Sequence, residues 1–185
     1  MDEFQSYLMS VFALKGFKNA IELGCTTGKT TRFLNQLCPT VGIDISKEYI
    51  KRAKCYDKSG EYVVADVRKY KPKKMFDVAV TQGLLIHIKD NDIKKTLENI
   101  FKVAKYGLFT ESSVEEYYDT EYELKYDNRK YWEHRAKNPD KESDLPMRYY
   151  YCHDYPFLFG SLGIKYQTIV TFNERTQTRM YLCQK

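Results

Sequence analysis

Residues 19–28 read Asn-Ala-Ile-Glu-Leu-Gly-Cys-Thr-Thr-Gly: an apolar strand that runs into an acidic residue and a tight glycine turn, with a helical segment after it. Glu22 lies two residues before Gly24, and Gly28 closes the turn four residues later. Asp44 ends the next apolar run (Val41-Gly42-Ile43), twenty residues beyond Gly24, and Asp66 ends the one after that (Val63-Val64-Ala65). Glycines where backbone must come close to a ligand, and carboxylates at strand ends able to accept from hydroxyls and amines, suit a nucleotide-like cofactor in a doubly wound sheet.

Spacing separates the cofactors such a turn takes. Gly24-Cys25-Thr26-Thr27-Gly28-Lys29-Thr30 resembles a phosphate-binding P-loop, but that motif needs four residues between its glycines and three are present; Leu23 stands where the first glycine belongs. The dinucleotide pattern G-x-G-x-x-G fails as well, because Thr26 fills its second glycine and the third is missing. Glu22 opposes both, since a carboxylate beside the turn repels a pyrophosphate and suits a cationic ligand.

These residues need strands and helices to hold them. Phe4, Leu8, Val11 and Phe12 share one face of a helix over 3–14. A strand over 18–23 precedes the turn, and Phe33, Leu34 and Leu37 face inward on the helix after it. Then come a strand at 40–44, a helix at 47–55, a strand at 61–65 and a strand from Phe76 to Thr81. Asp90 is the expected N-cap of a helix over 91–104, with Ile93, Leu97, Ile100, Phe101 and Ala104 at helical spacing. A strand from Tyr106 to Thr110 follows. After a charged, tyrosine-rich stretch at 113–150, a helix at 154–161 leads to strands at 164–171 and 178–183, split by the turn Asn173-Glu174-Arg175. Strands and helices that alternate in this way build a parallel sheet with helices on both faces.

The glycine turn with its three strand-end carboxylates resembles the class I S-adenosylmethionine (SAM) dependent methyltransferases. The resemblance implies an α/β, Rossmann-like, seven-stranded and mostly parallel sheet with an antiparallel C-terminal strand, in a single domain over 1–185. It implies SAM as the cofactor, with Glu22 near its aminoacyl end. The family pattern E-x-G-x-G-x-G is departed from at Thr26, a slot that varies in the family. Strand ends face the ligand in a parallel sheet, so the expected cofactor contacts are Glu22, Gly24, Cys25, Thr26 and Gly28, then Asp44 with Ile45 at the ribose, Asp66 with Val67 at the adenine, and Thr81, Gln82 and Gly83 where the methyl group travels. Cys25 is expected as a small packing residue in that turn.

Gln82-Gly83-Leu84-Leu85-Ile86-His87-Ile88, with Leu97, Ile100, Ala104, Lys105 and Tyr106 downstream, is similar to methylases associated with pseudaminic-acid (nonulosonic sugar) biosynthesis. Arg148-Tyr149-Tyr150 and His153-Asp154-Tyr155 resemble that family's approach to its last helix loosely, and the 113–150 insertion matches it poorly. The chemistry class therefore carries over and the acceptor stays open. Methyl transfer is an in-line displacement, and a hydroxyl or amine nucleophile must also lose a proton. His87 is the candidate general base, with a pocket-propping histidine as the alternative; Glu111 could orient the acceptor or act as a second base. Tyr117, Tyr118, Tyr149, Tyr150 and His153 are candidate substrate contacts, and the insertion is expected to cover the substrate.

Composition narrows the remaining classes. No apolar run is long enough for a membrane span, and Met1-Asp2-Glu3 lacks the basic-then-apolar order of a signal peptide. Five widely spaced cysteines without a C-x-x-C pair suggest reduced thiols, a cytoplasmic setting and no metal site. The net charge of +5 is uneven: residues 1–112 hold 19 Lys/Arg against 13 Asp/Glu. Its densest cluster, Arg68 to Lys74, leaves open an RNA or tRNA methyltransferase, although a solvated lysine-rich loop is the simpler explanation. No Asn/Asp-Pro-Pro-Tyr/Phe follows the fourth strand, so amino methylation of DNA bases is disfavoured and a small polar or sugar-type acceptor is favoured. A SAM-binding regulatory subunit without turnover is the alternative from another class.

Overall fold

The computed structural model describes residues 2–112, 153–173 and 178–185. Within them one seven-stranded sheet runs in the order β3-β2-β1-β4-β5-β7-β6. The strands are β1 (Ala20–Leu23), β2 (Thr40–Asp44), β3 (Glu61–Val64), β4 (Phe76–Gln82), β5 (Ala104–Ser112), β6 (Lys165–Asn173) and β7 (Thr178–Gln184). The first five pair in parallel, and β7 runs antiparallel to both β5 and β6. The helices are α1 (Glu3–Lys15), α2 (Lys29–Leu34), α3 (Lys47–Tyr56), α4 (Asp90–Val103) and α5 (Tyr155–Ser161), with a 3-10 turn at Leu85–His87. This is the class I methyltransferase architecture, down to the reversed last strand.

Alternation along the strands divides the core into two layers. Val78, Val80, Leu108, Met180 and Leu182 face α1 and pack with Leu8, Val11, Phe12 and Leu34. Ala79, Phe109, Tyr181 and Cys183 face the other way, onto Ile93, Leu97 and Ile100 of α4 and Tyr155 and Phe159 of α5. Every residue of β1 is buried, as expected of a central parallel strand covered on both faces. The chain order reverses beside β1, which has β2 on one side and β4 on the other. A crevice at the C-terminal strand ends is the consequence of that reversal, and the candidate residues converge on it.

Helix ends follow local chemistry. Asp2 and Gln5 form a reciprocal capping box at the start of α1, and Gly16 ends that helix in the left-handed region. Ser46 caps α3, and Asp154 caps α5 through the Phe157 amide. The expectation at α4 is corrected: Lys89 occupies the N-cap position without a side-chain bond, and Asp90 is the first helical residue. The Asp90 carboxylate is turned to His153 instead, at 3.3 Å from Nδ1. β5 also runs longer than its expected span, because β4 pairs with it from Ala104 and β7 as far as Ser112. Residues 113–150, which hold Tyr117, Tyr118, Tyr149, Tyr150 and the expected substrate-covering insertion, lie outside the described residues.

Candidate functional site

The glycine turn is built by backbone that only certain residues adopt. Gly24 and Gly28 both sit in the left-handed region, at φ +74° and +77°. A Cβ on Gly28 would come within 2.7 Å of the Tyr62 ring, so that position excludes a side chain by conformation and by space. Thr26 also takes positive φ, at +46°, in the slot where the family pattern has glycine. Four amides of the turn are already engaged. Those of Gly24 and Cys25 donate to the Ile43 carbonyl at 2.8 and 2.9 Å, and that of Gly28 to the Cys25 carbonyl at 2.7 Å. The Thr26 amide donates to Asp44 Oδ2 at 3.0 Å. A phosphate-cradling loop keeps such amides free for its ligand, and this one spends them on holding its own shape.

A cleft of about 240 Å³ opens beside the turn. Of the expected residues, Gly24, Asp44, Ile45, Asp66, Val67 and His87 line it. Asp44 ends β2 nearly buried, with Oδ1 accepting from the Ser46 amide at 2.8 Å as Oδ2 accepts from Thr26. Ile45 is a large apolar side chain left 66% exposed at the cleft, a surface in want of a flat apolar ligand. Asp66 starts the loop after β3; Arg68 lies against its carboxylate and holds it below the ordinary range. Asn99 of α4 fixes that loop from behind by donating to the carbonyls of Val67 and Tyr70 at 2.8 and 3.1 Å.

Other expected contacts lie off the cleft lining. Glu22 is buried and hydrogen-bonded to the Thr31 hydroxyl, and burial, reinforced by the nearby Asp44, pushes its carboxyl up to about 7. The Cys25 side chain packs against Ile50, Ala53 and Tyr62, and burial raises its thiol well above the ordinary range. Thr81 is fully buried, Gln82 accepts from the Thr30 hydroxyl at 3.3 Å, and the Gly83 amide donates to the Thr110 carbonyl at 2.9 Å. None of Glu22, Cys25, Thr26, Gly28, Thr81, Gln82 or Gly83 lines the cleft.

Two expectations change. Glu111 has no exposed surface: it accepts from the Thr81 hydroxyl at 2.7 Å and from the Leu84 and Leu85 amides at 3.1 Å each. Burial raises its carboxyl to about 7, but it is sealed from any acceptor. His153, expected against the substrate, is 4% exposed and bonded through Nε2 to the carbonyls of Leu85 and Ile88. Burial holds its imidazole below the ordinary range.

Ile43, Ala65, Arg68, Leu84, Ile88 and Lys89 line the cleft without having been singled out as contacts. Leu84 and Ile88 flank His87 in the segment read for its resemblance, and a 3-10 turn there would have faced them into the site. Arg68 stood in the sequence as part of a basic loop; in space it bridges Asp66 and Asp92. Among the described residues no group of three or more His, Cys, Asp or Glu is placed to hold a metal ion. Among them, too, no helix is long and apolar enough to cross a membrane.

The cleft suits a nucleoside. Apolar walls from Ile45, Val67, Leu84 and Ile88 fit a flat base, and the carboxylates of Asp44 and Asp66 fit hydroxyl and amine donors. Residues 20–107 match a family model described as a methyltransferase domain. No curated protein sequence matches. Among solved structures, the chain is similar to magnesium protoporphyrin IX methyltransferase from Synechocystis PCC 6803 with bound SAM, at 12% identity and a TM-score of 0.68, over 99% of this chain and 78% of that one. It is similar to DesVI of Streptomyces venezuelae at 8% identity and a TM-score of 0.73, over 98% and 92%. It is also similar to the N-methyltransferase NodS of Bradyrhizobium japonicum WM9, in complex with S-adenosylhomocysteine, at 14% identity and a TM-score of 0.66, over 98% and 86%. Residues 20–107 thus match a methyltransferase-domain model, and the described residues carry the class I methyltransferase fold.

Proposed function

We propose that this protein is a SAM-dependent methyltransferase that moves a methyl group to the oxygen or nitrogen of a small polar or sugar-type acceptor. One observation carries the choice of cofactor: the Gly24, Cys25, Thr26 and Gly28 amides are taken by Ile43, Asp44 and Cys25, which disfavours a phosphate nest in the turn, while Asp44 faces the cleft. SAM supplies an activated methyl group on a sulfonium. Asp44 accepts from the ribose hydroxyls, Ile45 and Val67 cover the adenine, and Asp66 receives its exocyclic amine. Glu22, buried behind the turn, lies on the side of the aminoacyl group. His87, exposed at the cleft, takes the proton from the acceptor, while Leu84 and Ile88 exclude water beside it.

The acceptor class rests on the segment Gln82–Ile88 and on the fold's use by small-molecule enzymes, magnesium protoporphyrin IX methyltransferase among them by name. An RNA acceptor is less favoured because Arg68, the first cation of the basic loop, is bonded to Asp66 and Asp92. The test is calorimetric titration of the full chain with S-adenosylhomocysteine, with ATP and NAD as controls and Asp44→Ala beside it. Micromolar binding of S-adenosylhomocysteine alone, lost in the variant, is the expected result. Preference for ATP or NAD overturns the reading.

A further inference from the structure

The segment after β4 is held from two opposite sides by buried ionisable side chains that do not reach the cleft. On its N–H side, Glu111 at the end of β5 takes the Leu84 amide on Oε1 and the Leu85 amide on Oε2. The Thr81 hydroxyl shares Oε1, and the Ile86 amide points into the same carboxylate. On its C=O side, His153, just before α5, bonds through Nε2 to the carbonyls of Leu85 at 3.2 Å and Ile88 at 2.9 Å. Two carbonyls at one nitrogen fix the proton on Nε2. Nδ1 then faces Asp90, the first residue of α4, at 3.3 Å. Between these grips lies the 3-10 turn Leu85–His87, and its neighbours Leu84, His87 and Ile88 form one wall of the cleft.

We infer that Glu111 and His153 are positioning residues that together set the register of the 84–88 turn, and with it the placement of His87 and Leu84 against the cofactor. The inference rests on the functional reading above. A single 3-10 turn has poor internal hydrogen-bond geometry. Catalytic geometry needs tolerances of roughly half an ångström, which such a turn does not supply by itself. Only a carboxylate accepts on both oxygens from donors that converge in this way. It does so here fully buried, where a charge is costly unless it is hydrogen-bonded. The grips come from two distant stretches of chain, β5 and the approach to α5, so the wall of the cleft is tied to the far half of the sheet.

Glu111→Gln tests the first grip, since the isosteric amide turns an N–H donor toward the amides it must accept from. His153→Phe removes the second, and His153→Gln restores an N–H at similar reach. Three quantities are followed in the full chain: the dissociation constant for S-adenosylhomocysteine, the NMR titration of the His87 imidazole, and hydrogen exchange of the amides at 84–88. In Glu111→Gln and His153→Phe the dissociation constant should rise about tenfold or more, the His87 titration should move, and exchange at 84–88 should speed up with β1 and β2 unchanged. His153→Gln should return the dissociation constant to within threefold of wild type. Should Glu111→Gln fail to fold, the Phe and Gln variants at 153 decide. Binding within twofold of wild type and an unmoved His87 titration in folded variants overturn the inference. If wild type itself does not bind S-adenosylhomocysteine, the functional reading fails, and the exchange and His87 titration of the unliganded variants still judge the clamp.

Discussion

Arg68 closes on Asp66 from three directions. Its backbone amide and Nε donate to Oδ1 at 2.9 and 3.0 Å, and Nη2 donates to Oδ2 at 2.7 Å. Nη1 reaches Asp92 at 3.3 Å. Three donors thus occupy the carboxylate that is to receive the adenine amine, and the base must compete with them. Arg68 is 41% exposed, so the bond it gives up has the modest strength of a surface pair, about 0.2–1 kcal/mol. Arg68→Ala should accordingly bind S-adenosylhomocysteine more tightly, by up to about fivefold. Calorimetry of both proteins checks this, and weaker binding by the variant would mean that Arg68 itself touches the base.

His87 is the other residue of the cleft whose chemistry is specific. His87→Gln keeps a polar side chain of similar reach but has no basic nitrogen. Binding of S-adenosylhomocysteine should stay within threefold of wild type, while single-turnover transfer to hydroxyl and amine acceptors of sugar type falls by about 10²–10⁴. An unchanged rate would leave His87 as a prop of the wall and no more.

The sequence carried the strand ends well because β1 and β2, largely buried, read as apolar runs, and Asp44 stops the second where the strand stops; Asp66 follows the end of the edge strand β3 by two residues. It read Glu111 as a second base or acceptor-orienting residue and His153 as a substrate contact, and the structure buries both behind the cleft. Whether such a group faces the cleft or sits behind it depends on where Leu84, Leu85 and Ile88 present their amides and carbonyls. That is fixed by a 3-10 turn with no side-chain period to read. Arg68 was illegible for a similar reason: its partner Asp92 lies on α4, and nothing local to the basic loop announces it. The Asp90 assignment failed by one residue because His153, far along the chain, claims its carboxylate.

Glu22 and Glu111 are both pushed by burial from 4.5 to about 7. A carboxyl raised in the folded state keeps its proton where the unfolded chain has lost it, so its contribution falls as pH rises from 4.5 through 7. Each pH unit in that window removes about 1.4 kcal/mol per carboxyl. His153, held below its ordinary 6.5 by burial, works in the opposite sense as pH falls below 6.5. The net loss should therefore be clearest between pH 6.5 and 7. Urea unfolding of the cofactor-free protein across pH 5–8 measures it, and Glu111→Gln should show a flatter profile if it folds. Equal slopes for wild type and a folded variant would place the Glu111 titration outside this window.

Thr26 offers a test in which stability should rise. Its φ of +46° is one that a side-chain-bearing residue pays about 1–2 kcal/mol to adopt. Its side chain is exposed, and the bond that matters, from its amide to Asp44, belongs to the backbone. Thr26→Gly keeps that bond and removes the strain, at the expense of about 0.5–1 kcal/mol in unfolded-state entropy. The variant should be more stable by up to about 1 kcal/mol, with S-adenosylhomocysteine affinity within twofold of wild type. Thr26→Ala retains the Cβ and should gain nothing, which separates relief of backbone strain from loss of the threonine side chain. A midpoint shift in urea at constant m-value reads the outcome. Destabilisation by glycine would show that the threonine at the middle of the turn stiffens the unfolded chain by more than its left-handed conformation costs the folded one.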